Sequence, residues 1–435
     1  MSAPLDVGVV GAGPAGLILA RRLSQTSATF EVFERNADVG GIWNIDAPGS
    51  PMYETAHFIS SRTLSGFEGY PMPDHYPDYP NYQQLLDYIQ AFADEFDLRR
   101  HIRFNTPVDR AALGTDGLWE LQFGTGETRY CRYLICANGV NWEPHEVSWP
   151  GQFNGEVRHS VTYRSPDEFT GKRVLVVGAG NSGADIACDA SVSADQAFLS
   201  VRRGYHFIPK YIAGTPSDVF GERGPSLPHW LEVRFFQVLL RLINGDLRRY
   251  GLPKPDHKLF ETHPLMNSLI LHHLGHGDCI AKPDVERLDG DHVVFVDGSR
   301  EQIDLVIAAT GFDRFIPFLE EGRLEFKRGR PQLYLGIFPR DCPNFSALGY
   351  VEFASAAYSH FEKMAELIVA DATAPPGSAT ARAFQDLKAN HHPDLRGGRR
   401  YIDTDRHADY VEIKAYRKIL AQVRKKVGLP KGGNP

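Results

Sequence analysis

The feature that most constrains this chain is a strand, glycine turn and helix unit that occurs twice. At the start, Asp6-Val7-Gly8-Val9-Val10 runs into Gly11-Ala12-Gly13-Pro14-Ala15-Gly16 and then an apolar stretch over residues 17–23. Near the middle, Val174-Leu175-Val176-Val177 runs into Gly178-Ala179-Gly180-Asn181-Ser182-Gly183-Ala184-Asp185 and on through Ile186-Ala187-Cys188. In such a turn the first glycine permits a tight bend. The second lets the backbone approach a diphosphate, and the third lets helix and strand pack closely. The helix N-terminus then offers unpaired N–H groups and a partial positive charge to the anion. Each unit is followed by a second strand, over residues 29–33 and 197–201. A glycine turn alone can be merely structural. Strand, glycines, helix, second strand and terminal residue in this order, twice, predict an α/β fold with two Rossmann-like dinucleotide-binding domains.

The two units end differently. The first closes on Glu34-Arg35, about 20 residues beyond its first glycine, where an acid accepts hydrogen bonds from a ribose hydroxyl pair. The second closes at the same place on Arg202-Arg203. An acid there would repel a 2′-phosphate, whereas arginine grips one. The first site is therefore expected to take FAD, through Gly11, Gly13, Pro14, Ala15, Gly16, Glu34 and Arg35. The second is expected to take NADPH in preference to NADH, through Gly178, Gly180, Asn181, Ser182, Gly183, Asp185, Arg202 and Arg203, with Lys210 adding positive charge. The competing reading of Arg202 and Arg203 is ordinary surface charge at a strand end.

A length of 435 residues suggests two or three domains. A net charge near −7 speaks against a nucleic-acid-binding surface. The basic runs at Arg396, Arg399-Arg400 and Lys425-Lys426 are short and read as a solvated tail or helix face. No run reaches the ~18–20 apolar residues of a membrane span. The most apolar candidate, residues 230–243, is interrupted by Glu232, Arg234 and Arg241 and reads as an amphipathic helix that packs on a core or forms a lid. The N-terminus enters a strand almost at once, so no signal peptide is expected. Cys131, Cys136, Cys188, Cys279 and Cys342 form an odd set without CxxC spacing, expected of reduced thiols in a cytoplasmic protein.

Residues 36–82 are rich in Gly, Pro, Tyr and Ser, and a long irregular stretch in a compact domain is usually functional. Its Gly40-Gly41-Ile42-Trp43-Asn44 could bring backbone against a flat ring such as isoalloxazine; Trp43 reads equally as a packing residue. A helix is expected over residues 82–96 and strands over 102–104, 119–123 and 133–137, with Val108 placed to meet an adenine. Residues 205–283 form a poorly patterned insertion with His263, His272, His273 and His276. His272 and His276 have i, i+4 spacing but no HExxH glutamate, so burial or surface placement is preferred to a metal site. Strands over 293–296 and 305–308 lead to Ala309-Thr310-Gly311-Phe312, read as the return to the first domain. The expected organisation is an NADPH domain inserted in a split FAD domain: 1–168, then 169–304 with the insertion at about 205–283, then 305–435.

Together these residues resemble the flavin-containing monooxygenases of the class with two dinucleotide-binding domains. Between the glycine turns, Phe153, Gly155, His159 and Tyr163 match the family fingerprint FxGxxxHxxxY. Gly40, Gly41 and Trp43 match its Gly-Gly-x-Trp, and residues 309–312 match its ATG-aromatic segment, so that Gly41, Ile42, Trp43, Thr310 and Gly311 join Val108 in the expected flavin site. The resemblance spans about residues 5–370. It implies reduction of FAD by NADPH, capture of O₂ as a C4a-(hydro)peroxyflavin, and transfer of one oxygen to a small-molecule substrate. It also implies a dry pocket, a supporting role for His159 in domain arrangement, and compatibility with a homodimer. Members that oxygenate nitrogen or sulfur commonly carry an asparagine near the flavin; aligned on Tyr53, that place holds Ile59, with Ser60 and Asn44 as neighbouring candidates. Baeyer–Villiger relatives usually end the fingerprint in tryptophan followed by proline or aspartate, whereas this chain has Tyr163-Arg164. Oxygenation of a soft nitrogen or sulfur is thus the leading expectation, with ketone oxygenation and an NADPH oxidase releasing peroxide as alternatives. A flavin disulfide reductase would need a close cysteine pair, and Cys131 and Cys136 are spaced onto opposite strand faces. A non-catalytic binding protein would leave two nucleotide sites without redox work.

Overall fold

The computed structural model describes residues 3–224, 228–404 and 407–430. The chain divides into two compact units. The first comprises Met1–Ser50, Arg62–Val140 and Arg314–Pro435, and the second comprises Pro51–Ser61 and Asn141–Asp313.

In the first unit, Leu5–Val10 lies between Phe30–Phe33 and Thr128–Cys136, parallel to both. An apolar run buried on both faces is what a central parallel strand requires. Ile102–Arg103 adds beyond Phe30–Phe33. Thr128–Cys136 pairs antiparallel with Trp119–Phe123 through its first half and parallel with Phe345–Ala347 through its end. Helix Pro14–Ser24 starts with a proline in its first turn, buries Leu17, Ile18, Leu19, Ala20 and Leu23, and ends on Arg21 and Arg22. Helix Tyr82–Glu95 is fixed at its start by a capping box, in which Asn81 accepts from the Gln84 N–H at 2.9 Å and Gln84 Oε1 accepts from the Asn81 N–H at 3.0 Å. Both helices match the expected ranges. Val108, expected only as a ligand contact, opens a further strand, Val108–Leu113.

In the second unit, a fully parallel sheet runs Cys279–Lys282, Gln196–Ser200, Arg173–Val177, Leu305–Ala308, Glu156–His159. Helix Asn181–Ser193 follows the second glycine turn. A smaller sheet of Arg300–Gln302, His292–Phe295, Val285–Gly290 and Gly151–Phe153 packs with it around Leu175, Phe198, Val293 and Phe295. The unit boundaries differ from those expected at 168/169 and 304/305. Leu305–Ala308, which leads to the expected return at residues 309–312, lies within the second unit as the neighbour of Arg173–Val177, and Glu156–His159 pairs on its far side. Backbone pairing across more than 100 residues decides this, and apolar runs do not announce their partners.

The insertion at 205–283 holds helices Ser217–Arg223, His229–Asn244 and Leu269–His276; its residues 225–227, like 431–435 at the chain's end, lie outside the described residues. Helix His229–Asn244 meets the expectation of core packing along one stripe, where Val233, Leu240 and the half-buried Phe236 cluster with Leu259. It buries only Val233 and Leu240 and exposes Trp230 at 70% and Leu242 at 78%, with Phe235, Val238 and Ile243 also exposed. Among the described residues no helix is long and apolar enough to cross a membrane. All five cysteines are free and buried.

Candidate functional site

In the first unit the glycine turn is shaped by contact. Gly11 has φ +102°, and a Cβ there would stand 2.6 Å from the Ala137 carbonyl oxygen. A Cβ on Gly16 would stand 1.9 Å from the oxygen of Gly11, so only glycine lets helix and strand close this distance. Helix Pro14–Ser24 receives no side-chain cap on Gly13 and has no acid in its first turn. Its leading N–H groups, at Ala15 and Gly16, are therefore left for an anion. Glu34 is 4% exposed at the end of its strand. It accepts from the Ala12 N–H at 2.6 Å and the Asn36 N–H at 2.8 Å, through different oxygens. Burial pushes its carboxyl up while these backbone donors pull it down. Each oxygen keeps a second lone pair, so the carboxylate both holds the turn and can accept ribose hydroxyls. This donor set fits a dinucleotide with an unphosphorylated ribose. Arg35 beside it is exposed.

Gly41–Trp43 is a single turn of 3-10 helix, and the Ile42 carbonyl accepts from Ser50 Oγ at 2.7 Å. Trp43 is buried and its Nε1 donates to Tyr358 Oη at 2.9 Å, the behaviour of the packing reading. Asn44 ends this turn, its Oδ1 accepting from the Asp46 N–H at 3.2 Å.

The second turn repeats the first: a Cβ on Gly183 would stand 1.9 Å from the oxygen of Gly178. Gly180 is different. It has ordinary helix-entry backbone, φ −71°, and nothing lies within 4 Å of where its Cβ would be. Neither conformation nor packing inside the protein demands glycine there, so the space beside it is open to a ligand. The helix again lacks a side-chain cap and an acid in its first turn. Asn181 Oδ1 accepts from the Met266 N–H at 3.2 Å, and Ser182 is exposed. Gln196–Ser200 ends two residues before Arg202, which is exposed, and Arg203 is half-buried. An open glycine cradle with arginine at the strand end fits a 2′-phosphorylated dinucleotide.

Asp185 is turned toward protein partners: its carboxylate accepts from Tyr53 Oη at 3.1 Å and Asn267 Nδ2 at 2.6 Å. Burial pushes this carboxyl up, with the Lys210 charge the strongest opposing influence. Burial likewise lowers Lys210, offset by Asp185. Lys210 thus feels the Asp185 charge and is also a candidate for phosphate.

Among the fingerprint residues, Phe153 lies on Gly151–Phe153, and a Cβ on Gly155 would stand 2.5 Å from the Asp304 oxygen. His159 ends Glu156–His159; its Nδ1 accepts from the Val161 N–H at 3.1 Å and its Nε2 reaches the Gly311 carbonyl at 3.0 Å. That pair of contacts requires the neutral ring with its proton on Nε2. Burial holds its pKa below 6.5. His159 therefore buttresses the Thr310-Gly311 turn, where Thr310 Oγ1 donates to the His145 carbonyl at 2.7 Å. Tyr163 is fully buried, stacked on Phe169, and donates to Asp189 at 2.8 Å. Ile59 and Ser60 are half-buried in the second unit, so the flavin-side candidates Asn44 and Ile59 belong to different units.

Sequence reasoning missed Tyr53, Thr55, Asp189 and Asn267. The one available signal was the pair Asp185 and Asp189 at i, i+4 on a helix otherwise poor in charge. Of the insertion histidines, His272 and His276 have ring centroids 3.9 Å apart, and His273 Nδ1 contacts Asp278 at 3.2 Å. Among the described residues no three His, Cys, Asp or Glu side chains gather as a metal site would require.

The chain is similar to human flavin-containing monooxygenase 5, 31% identical over 454 residues that cover 96% of this chain and 83% of that protein. In fold it is similar to the open crystal structure of cyclohexanone monooxygenase, with TM-score 0.70, 20% identity and 98% of each chain covered. It is likewise similar to the crystal structure of OTEMO in complex with FAD and NADP, with TM-score 0.68, 20% identity and again 98% of each chain covered. The pattern of the flavin-binding monooxygenase-like family matches residues 5–371. With two nucleotide turns, the fingerprint between them and these likenesses, the chain belongs to the flavin-binding monooxygenase-like family, whose members are FAD-dependent enzymes that use NADPH.

Proposed function

We propose that this enzyme oxygenates a small soft nucleophile at nitrogen or sulfur, with the stoichiometry NADPH + H⁺ + O₂ + S → NADP⁺ + H₂O + SO. The observation that carries this reading is the contrast between the two turns, one ending on buried Glu34 and the other on exposed Arg202. It supports FAD on the first unit, at Gly11, Gly13, Pro14, Ala15, Gly16, Glu34, Gly41, Ile42 and Val108, and NADPH on the second, at Gly178, Gly180, Asn181, Ser182, Gly183 and Arg202. When bound, the flavin supplies hydride acceptance from NADPH and reaction with oxygen. The protein's own contribution is binding, orientation and exclusion of water: the helix N-termini take the diphosphates, Arg202 takes the 2′-phosphate, and His159 holds the Gly311 turn. Preference for nitrogen or sulfur over ketones is supported by Tyr163-Arg164 at the fingerprint's end.

Ketone oxygenation is the second reading. It is favoured by Ile59 at the place where nitrogen- and sulfur-oxygenating relatives carry asparagine, and by the fold likeness to cyclohexanone monooxygenase. The deciding experiment mixes the NADPH-reduced enzyme with oxygen in a stopped-flow spectrometer, then offers amines, sulfides and ketones with product analysis. A long-lived near-ultraviolet species discharged by an amine or sulfide supports the first reading, and one discharged only by ketones supports the second. Direct return to oxidised flavin with one peroxide per NADPH overturns both in favour of an oxidase. Five buried free thiols support a reducing, cytoplasmic setting. Pairing of the chain as a homodimer is the family expectation that light scattering of the purified protein decides.

A further inference from the structure

Residues 51–61 are a short strap that belongs to the second unit although its flanking sequence belongs to the first. Its side chains are held by two carboxylates on helix Asn181–Ser193. Asp185 and Asp189 are four residues apart and so share one face. Asp185 accepts from Tyr53 Oη at 3.1 Å, and Asp189 accepts from Thr55 Oγ1 at 2.5 Å. Each carboxylate has a further protein donor: Asn267 Nδ2 on Asp185 at 2.6 Å, and Tyr163 Oη on Asp189 at 2.8 Å. The rings of Tyr53 and Tyr163 are 5.4 Å apart. The backbone is tied as well: the Glu54 N–H donates to the Arg164 carbonyl at 2.9 Å, and Arg164 Nη1 donates to the Met52 carbonyl at 3.2 Å. At the far end, the Ser61 N–H donates to Asp218 at 2.6 Å.

We propose that Asp189, with Asp185 one turn before it, is a positioning residue that fastens the strap, and with it Ile59 and Ser60, to the helix of the second nucleotide turn. The helix does not need these acids for its own packing, which Ala184, Ile186, Ala187, Cys188 and Ala190 provide. Removing carboxylates from water carries a cost that hydroxyl and amide donors offset through short charge-assisted bonds. At Asp189 those donors come from the strap and from the fingerprint. The fingerprint's terminal Tyr163 thereby gains a specific role. Its hydroxyl shares Asp189 with Thr55, so one carboxylate holds both the fingerprint and the strap.

The inference rests on the reading above that Ile59 and Ser60 serve the flavin. On that reading a loosened strap admits water and diverts turnover to NADPH + H⁺ + O₂ → NADP⁺ + H₂O₂. The test compares Thr55→Val with Thr55→Ser in the FAD-loaded enzyme. Hydrogen–deuterium exchange of peptides covering 51–61 is measured alongside peroxide formed per NADPH oxidised. Loss of one charge-assisted bond is expected to speed strap exchange about tenfold, and Thr55→Val should raise the peroxide fraction while Thr55→Ser restores both. Unchanged strap exchange in Thr55→Val overturns the fastening role of Asp189. Faster exchange with unchanged peroxide upholds the fastening and overturns the flavin-side reading of Ile59 and Ser60. If Thr55→Val does not fold, Tyr163→Phe, which removes the other donor to Asp189, is read in the same two ways.

Discussion

Two alanine substitutions three residues apart, Gly180→Ala and Gly183→Ala, should fail in opposite ways. A Cβ on Gly183 would sit 1.9 Å from the Gly178 oxygen, against an ordinary contact distance of 3.4–4 Å. Helix Asn181–Ser193 would have to withdraw from strand Arg173–Val177 by about 1.5 Å in a close-packed interior. Overpacking of this kind costs about 3 kcal/mol, and backbone against backbone puts it at the upper end of the range. The melting temperature should therefore fall by roughly 6–12 °C. At Gly180 a Cβ meets nothing within 4 Å and the backbone is ordinary. The weaker N-cap and the lower chain entropy of alanine oppose each other, leaving stability within about 1 kcal/mol of the parent. In the proposed NADPH site, however, the methyl group would stand in the way of the diphosphate, and KM for NADPH should rise at least about tenfold, roughly 1.4 kcal/mol of binding. Thermal denaturation followed by circular dichroism, and initial-rate kinetics at saturating oxygen, separate the two. Flavin absorbance is the internal control, because the first glycine turn is untouched. A Gly180→Ala enzyme with parental stability and parental KM would refute the assignment of the open cradle to NADPH.

Three further outcomes follow from the same geometry. Arg202→Ala should narrow the preference for NADPH over NADH in kcat/KM, and an unchanged ratio would remove Arg202 from 2′-phosphate recognition. His159 is held below 6.5 by burial, so the folded protein binds fewer protons than the unfolded chain in that range. Its stabilising contribution is present above about pH 6.5 and lost as pH falls through the lowered folded value; urea midpoints of the parent and His159→Gln should therefore converge on acidification, and parallel profiles would contradict the neutral-ring role. Lys388, buried with Asp371 at 2.6 Å, docks helix Ala379–Asn390 onto Tyr358–Ala372, and Asp371 also accepts from Tyr133 Oη at 2.6 Å. Lys388→Met should cost about 3–5 kcal/mol by stranding the carboxylate, with much of the loss recovered in the double variant with Asp371→Asn.

What could be read from the chain before any fold was known is local. Glycine spacing, an apolar strand before it and a single charge after it are contiguous features, and each encodes its own geometry: Gly11 and Gly16 must be glycine because of atoms within a few residues along the chain or on the next strand. The helix expected over residues 82–96 is legible for the same reason, and the structure adds the capping box at Asn81 and Gln84 that fixes its start. Features that depend on partners far apart in the chain had to wait for the folded structure. The pairing of Glu156–His159 with Leu305–Ala308 moved the unit boundaries, and an apolar run cannot name the strand it will bond to. The clasp of Tyr53 and Thr55 on Asp185 and Asp189 spans more than 100 residues, and a hydroxyl in a loop looks the same whether it meets water or a half-buried carboxylate. Helix His229–Asn244 shows the converse. Its amphipathic pattern was plain in the sequence, but periodicity does not say how much apolar surface will be covered, and the fold packs Val233, Phe236 and Leu240 while leaving Trp230, Phe235, Val238 and Leu242 exposed.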